Sequence, residues 1–206
     1  MSEILDVQML LSAYITLFVI MDPPGTVPVF LGLTSAMTTK QRNRAARQAI
    51  LAAGGVIVVF ALFGQQVLNY MSISLPALQV AGGVLLFLVA MELLTGKMEG
   101  AEPSPNAQVN VALVPLGTPL LAGPGAIVAV MVFTQQADTT AGWVGLAVAI
   151  VAVHLTLYLA MRFASVVHRV LKDSGTILVS RIAGLLLAAI AAQLVADAIT
   201  AFVAGT

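Results

Sequence analysis

The sequence predicts an all-α integral membrane protein of six transmembrane helices, arranged as a 3+3 inverted-topology repeat. Spans 1 and 4 are interrupted near the membrane midplane. Three observations predict it: too little charge for a water-facing surface, basic residues confined to alternate loops, and helix-breaking stretches in matching places of the two halves.

Charge comes first. Of 206 residues, 60% are hydrophobic and 9% are charged, and the mean hydropathy is +1.03. A soluble domain carries roughly one quarter charged residues. Nine acids and nine bases cannot clothe a globule of this size in water, whereas lipid accepts apolar side chains facing outward. The expected unit is a single membrane domain over 1–206, with 1–100 the first three-helix repeat and 101–206 the second, inverted one. The opening MSEILDVQ carries Glu3 and Asp6 rather than a basic n-region, so no cleaved signal peptide is expected.

Apolar runs of about 20 residues place the spans at 8–34, 48–69, 76–95, 110–134, 142–163 and 179–202. Span 1 contains VIMDPPGTVPVF (19–30). Pro23, Pro24 and Pro28 cannot share one regular helix, because each lacks a backbone donor and crowds the preceding turn. Gly25 permits the dihedrals a break requires, so the helix is expected to stop near Met21 and restart near Thr26. Span 2 holds AAGGVIVVFALFG (52–64), with no polar face. Its glycine pair, and that at 82–83 in span 3, read as close helix packing. Span 4 holds VPLGTPLLAGPGAI (114–127), where Pro115, Gly117, Pro119, Gly123, Pro124 and Gly125 break the helix again. Span 5 is apolar except for His154, and span 6 opens through a glycine.

The halves resemble each other. MDPPGTVPVFLGLT (21–34) matches LAGPGAIVAVMVFT (121–134) at Pro24-Gly25 with Pro124-Gly125 and at Thr34 with Thr134. AGGVLLFLVAME (81–92) matches IAGLLLAAIAAQ (182–193). Three spans per half is an odd number, so the second half crosses in the opposite sense, as in many secondary transporters.

All nine basic residues lie in or beside the odd-numbered loops: Lys40, Arg42, Arg44 and Arg47, then Lys97, then Arg162, Arg169, Lys172 and Arg181. The positive-inside rule therefore places those loops in the cytoplasm and both termini outside, in a multi-pass protein of the cell's inner (cytoplasmic) membrane.

Irregular backbone at membrane depth survives only where it is buried in protein or lines a wet cavity. A restarting half-helix offers free N–H groups and a positive dipole end to a carboxylate, and a terminating one offers carbonyls to an ammonium. Thr26–Val27 and Ala126–Ile127 are the expected donors, and the carbonyls around Ile20–Met21 and Ala122–Gly123 the acceptors. Together with Asp22, Pro24, Gly25, Thr118, Gly123, Pro124 and Gly125 they form the candidate pocket, sized for a small zwitterion. Asp22 has two readings: N-cap of the restarting helix, with Pro23 at its first position, or partner of a substrate ammonium or proton. His154 is either a proton relay or a neutral imidazole bonded between helices.

Several classes are excluded. There is no cysteine, so thiolate zinc and cysteine nucleophiles are absent. No GxxxxGK[ST] loop exists for ATP, no His/Glu cluster has metal-ligand spacing, and no basic–aromatic patch addresses nucleic acid. Neither an enzyme nor a cofactor is expected. The expected partners are a small solute and membrane lipid, and both a monomer and a homo-oligomer are compatible with the pattern.

The chain resembles the MarC family over essentially its whole length. The resemblance rests on DPPGTVPVF (22–30), PLGTPLLAGPGAI (115–127) and the entries to spans 3 and 6, AGGVLLFLVAMELL and RIAGLLLAAIAAQLV. It implies six spans in a 3+3 inverted repeat, a site at the two interrupted helices and, by likeness to some members, transport of small neutral amino acids such as glycine and alanine. The family's first motif commonly reads DPxGNxP, and Thr26 stands here where Asn is usual, replacing a carboxamide with a hydroxyl. The alternative is a proton- or cation-coupled exporter of another small solute or drug. An aromatic content of 6% offers little to a large apolar cation.

Overall fold

The computed structural model describes residues 5–95 and 121–204. Among these residues the regular structure is entirely helical: α1 Val7–Met21, α2 Pro23–Leu33, α3 Thr39–Met71, α4 Leu75–Thr95, α5 Pro124–Gln136, α6 Thr140–Arg162 and α7 Ala164–Ala204. Five segments are long and apolar enough to cross a bilayer: Val7–Leu33 (α1 with α2), α3, α4, α6 and Ser174–Ala204 of α7. Their outer faces carry large apolar side chains such as Leu51, Val151 and Leu185, all well exposed. That is the surface of a protein dissolved in lipid.

The expected fourth span, 110–134, is met only in part. α5 has 13 residues, about 20 Å of helix, which is short of a hydrocarbon core of about 30 Å. Residues 96–120, with Lys97, Pro115, Gly117, Thr118 and Pro119, lie outside the described residues.

Two boundaries differ from the hydropathy reading for physical reasons. α3 begins at Thr39, well before residue 48, because Thr38 and Gln41 form a reciprocal capping box ahead of the basic turns. The connection expected between 163 and 179 is helical instead, and α7 is broken within it at Lys172 (φ 54°, ψ 179°).

Direction follows from a few contacts. The Asp6 N–H donates to Ala141 O at 3.2 Å, and Tyr14 Oη lies 3.1 Å from Thr156 Oγ1. α1 and α6 therefore run parallel from one face. α2 continues away from that face to the end where α3 starts and α6 stops, so the basic residues at 40–47 and 162–172 share one side. α5 runs into the start of α6, towards the opposite face from α2. Arg42 closes the far end of α2 by donating from Nη2 to Thr34 O at 3.3 Å, a cation at the negative end of a helix.

The main core joins α1, α2, α3, α5 and α6 around Leu17, Phe30, Ile57, Val130 and Leu157. On α3, Ala45, Ala46, Ala49, Ala53 and Ile57 are buried, and on α6 so are Gly145, Leu146, Ala149, Val153 and Leu157. α4 and α7 make a second, closely packed pair around Leu86, Ala90, Leu187 and Ala191. Gly83 backs onto Ala191 O and Val195, while Gly184 backs onto Ala90 O and Leu93. Because the partner number falls as the α4 number rises, the pair is antiparallel. A β-carbon on Gly83 would lie 2.9 Å from that carbonyl, so only small residues let the two backbones meet.

Candidate functional site

The first break is one residue wide. α1 ends at Met21 and α2 begins at Pro23, three residues earlier than Thr26, with Asp22 between them in the left-handed region (φ 38°, ψ 70°). Against expectation, Pro23, Pro24 and Pro28 share this one helix, the first two in its opening turn, where no intrahelical donor is needed. Asp tolerates the left-handed conformation better than most residues. Its N–H donates to Phe18 O at 3.1 Å and closes α1. Its Oδ1 accepts from Gly25 N–H at 3.2 Å and opens α2. The cap reading of Asp22, with Pro23 at the first helical position, therefore holds.

That early restart overturns the expected donors. Pro23 and Pro24 have no N–H, Gly25 is capped by Asp22, and Thr26 N–H donates to Asp22 O at 2.9 Å. The Thr26 hydroxyl also turns inward, donating to Asp22 O at 2.9 Å and to Met21 O at 3.3 Å. No donor at the start of α2 is left for a ligand, and the Met21 carbonyl is already engaged. What the break does leave is an acceptor: Asp22 is 8% exposed, and its Oδ2 is buried without a hydrogen-bond partner. An unmatched buried carboxylate oxygen is costly, so its retention calls for an explanation.

The second break is built differently. α5 starts at Pro124 with Gly123 as N-cap, and no side chain caps it. Ala126 and Ile127, the expected donors, both give their N–H groups to Gly123 O, at 3.0 and 3.2 Å. Among the described residues, the amide without a partner is one residue earlier, at Gly125, behind the exposed Pro124. Gly125 is itself buried against Leu86 of α4, where a β-carbon would lie 2.6 Å from Leu86 Cγ.

The structure brings Asp22, Gly25 and Thr26 into one knot, and seats Gly123, Gly125 and Ala126 at the other helix start. Met21, Val27, Leu121, Ala122 and Ala126 share the same buried core. His154 stands apart. Its Nδ1 hydrogen-bonds Ile150 O at 2.7 Å, and its buried Nε2 faces Gly54 of α3. It caps its own helix turn and has no hydrogen bond to Asp22, so these two groups form no direct relay.

Sequence reading missed Ser180. It lies on α7, and a β-carbon on Gly25 would stand 3.0 Å from its Oγ and collide with the Asp22 carboxylate. Its local signal is a single hydroxyl next to Arg181 in ILVSRIAG, where the apolar part of α7 begins.

A membrane chain with this break, these caps and this helix order matches the family model described as "MarC family integral membrane protein" over residues 7–203. The chain belongs to the MarC family. It is similar to the UPF0056 membrane protein MJ1677 of Methanocaldococcus jannaschii, 34% identical over 95% of this chain and 98% of that protein. It is also similar to a UPF0056 membrane protein of Aquifex aeolicus, 36% identical over 90% and 89% of the two chains. UPF0056 membrane protein YhcE of Escherichia coli is 31% identical over 90% and 89%. No solved structure matches. As a MarC protein the chain is a multi-pass integral membrane protein.

Proposed function

We propose that this MarC protein is a secondary transporter of small neutral amino acids, carrying glycine- or alanine-like zwitterions across the inner (cytoplasmic) membrane. The observation that carries the reading is the pair of unlike helix starts inside the fold. One ends in a spare carboxylate oxygen at Asp22, suited to an ammonium, and the other is an uncapped amide at Gly125, suited to a carboxylate. A zwitterion needs both.

The architecture that lets such a site alternate is an inverted repeat of 1–100 and 101–206, six spans in all, with basic loops inside and both termini outside. Two patterns support it. The buried positions 45, 46, 49, 53 and 57 of α3 recur at 145, 146, 149, 153 and 157 of α6. The contacts of Gly83 with Ala191 and Val195 recur, exchanged between helices, as those of Gly184 with Ala90 and Leu94. An antiparallel helix pair touching itself reciprocally is what a two-fold axis in the membrane plane produces.

The test is uptake of labelled glycine and alanine into proteoliposomes, competed by each of the other amino acids. Saturable uptake, competed best by the smallest neutral ones, is expected. No uptake, with no stabilisation of the purified protein by any of the twenty, overturns the reading. A coupled exporter of another solute is the second reading, because the same Asp22 oxygen can take a proton. Transport of glycine that ignores a pH gradient removes it.

A further inference from the structure

Resting on that transport reading, we propose that Ser180 of α7 is a substrate-recognition residue. Its hydroxyl and Asp22 Oδ2 together hold the primary ammonium of the ligand.

The argument begins with what this corner lacks. Every backbone donor at the start of α2 is absent or used: two are prolines, one is capped by Asp22 Oδ1, and one is bonded to Asp22 O. The backbone here can accept hydrogen bonds and cannot give them. A carboxylate ligand finds no backbone donor, and next to the unmatched Asp22 Oδ2 it would meet a like charge. A cation with several N–H groups fits.

Two acceptors lie close together, on either side of the place a Gly25 side chain would fill. Gly25 has no side chain, and where its β-carbon would stand, the Asp22 carboxylate is already in place, with its Cγ at 2.8 Å and Ser180 Oγ at 3.0 Å. Oδ2 is without a partner, so the serine hydroxyl beside it is not bonded to it. A hydroxyl offers acceptor lone pairs as well as a donor. A primary ammonium at this corner gives one hydrogen to Oδ2 and one to Ser180 Oγ. Each N-methyl group removes a hydrogen and adds bulk to a corner that the Asp22 carboxylate already fills. N-methylglycine keeps two hydrogens but can present them only with its methyl group turned to the remaining side, whereas trimethylglycine has none, and a site built to hydrogen-bond its substrate strongly rejects an analogue lacking those hydrogens.

The position of Ser180 gives the contact a second consequence. Asp22 joins α1 to α2, whereas α7 packs against α4 through the glycine contacts described above. A ligand held by both residues ties the first break to the α4–α7 pair. A merely structural serine, turning its O–H to Asp22, predicts something else: Ser180→Ala then lowers stability and leaves amine selectivity untouched.

The experiment is calorimetric binding to the purified full-length protein of four probes: glycine, N-methylglycine, trimethylglycine and methylammonium. Wild type is expected to bind glycine better than N-methylglycine and trimethylglycine worst. Ser180→Ala is expected to weaken glycine about tenfold, the loss of one hydrogen bond to a charged group, and to shrink the glycine to N-methylglycine ratio. Ser180→Thr, which keeps the hydroxyl, restores both. Unchanged glycine affinity and ratio in folded Ser180→Ala overturn the inference and leave the transport reading standing. Binding of methylammonium that Ser180→Ala weakens, with no amino acid bound, supports the ammonium site and defeats the transport reading instead. Equal affinity of wild type for glycine and trimethylglycine overturns the inference without any variant, and so does the absence of binding by all four probes.

Discussion

The two helix starts inside this protein share a Pro-Gly pair and little else. At α2 the cap is an acid whose second oxygen is buried and unmatched, and every nearby amide is closed off. At α5 the cap is a glycine with no side chain to give, and the Gly125 amide follows it. Two Pro-Gly helix starts carry different caps. The α4–α7 glycines, by contrast, make like contacts: Gly83 meets Ala191 O and Val195, and Gly184 meets Ala90 O and Leu94. The side chain at the break is free to differ, and on the transport reading proposed above that difference would suit the two ends of a zwitterion.

The sharpest way to break the comparison is Asp22→Asn. Asn keeps an oxygen for Gly25 N–H, so the cap and the fold are expected to survive. The other position becomes a donor, facing the place where an ammonium needs an acceptor. Glycine affinity is expected to fall roughly 30-fold or more, since removing one member of a buried charge pair costs about 2–5 kcal/mol. Calorimetry reads the affinity, and circular dichroism checks the helices.

Next in size is a test of what is matched. In Gly83→Ala the new methyl lies 2.6 Å from Val195 Cγ2 and 2.9 Å from Ala191 O, whereas in Gly184→Ala the nearest atoms, Leu93 Cβ and Ala90 O, are at 3.0 and 3.1 Å. Both substitutions are expected to destabilise by about 1–3 kcal/mol through overpacking, with Gly83→Ala the worse. Reversible unfolding in mixed micelles ranks them. If one costs several kcal/mol and the other nothing, the helices do not meet reciprocally.

Much of this was legible from sequence, and the exceptions have causes. Proline and glycine act locally, so the break at Met21 was readable, as was the Pro-Gly start of α5. The restart came out three residues late because Asp22 does two jobs at once, ending one helix and capping the next. Hydropathy missed the first turns of α3, which are polar and lie before the apolar stretch, although the T-x-x-Q of Thr38 and Gln41 announces them. Ser180 was out of reach. Its meeting with Gly25 depends on how α7 lies against α2, and no period within α7 encodes that.

A smaller effect should come from making the second start resemble the first. Gly123 has φ −63° and ψ 165°, which any residue can adopt, so Gly123→Asp supplies α5 with the acid that α2 has. Stability is expected to change by only a few tenths of a kcal/mol, the usual difference between Gly and Asp at an N-cap. Glycine affinity is expected to fall about tenfold, because the new carboxylate takes the Gly125 amide and repels the ligand's own carboxylate. Unaltered affinity would falsify the assignment of the carboxylate end to α5.

The smallest effect separates scaffold from site within α2 itself. The Thr26 hydroxyl points back at Met21 O and Asp22 O. Thr26→Val keeps the shape and removes both bonds. Asp22 O still receives Thr26 N–H, but Met21 O loses the bond it had, so a cost of about 1 kcal/mol in unfolding free energy is expected. Glycine affinity should move less than threefold, because the hydroxyl is spent on the break rather than turned to the ligand. A large loss of affinity without a loss of stability would reverse those roles, putting the Thr26 hydroxyl on the substrate and leaving the carbonyls of α1 to be satisfied another way.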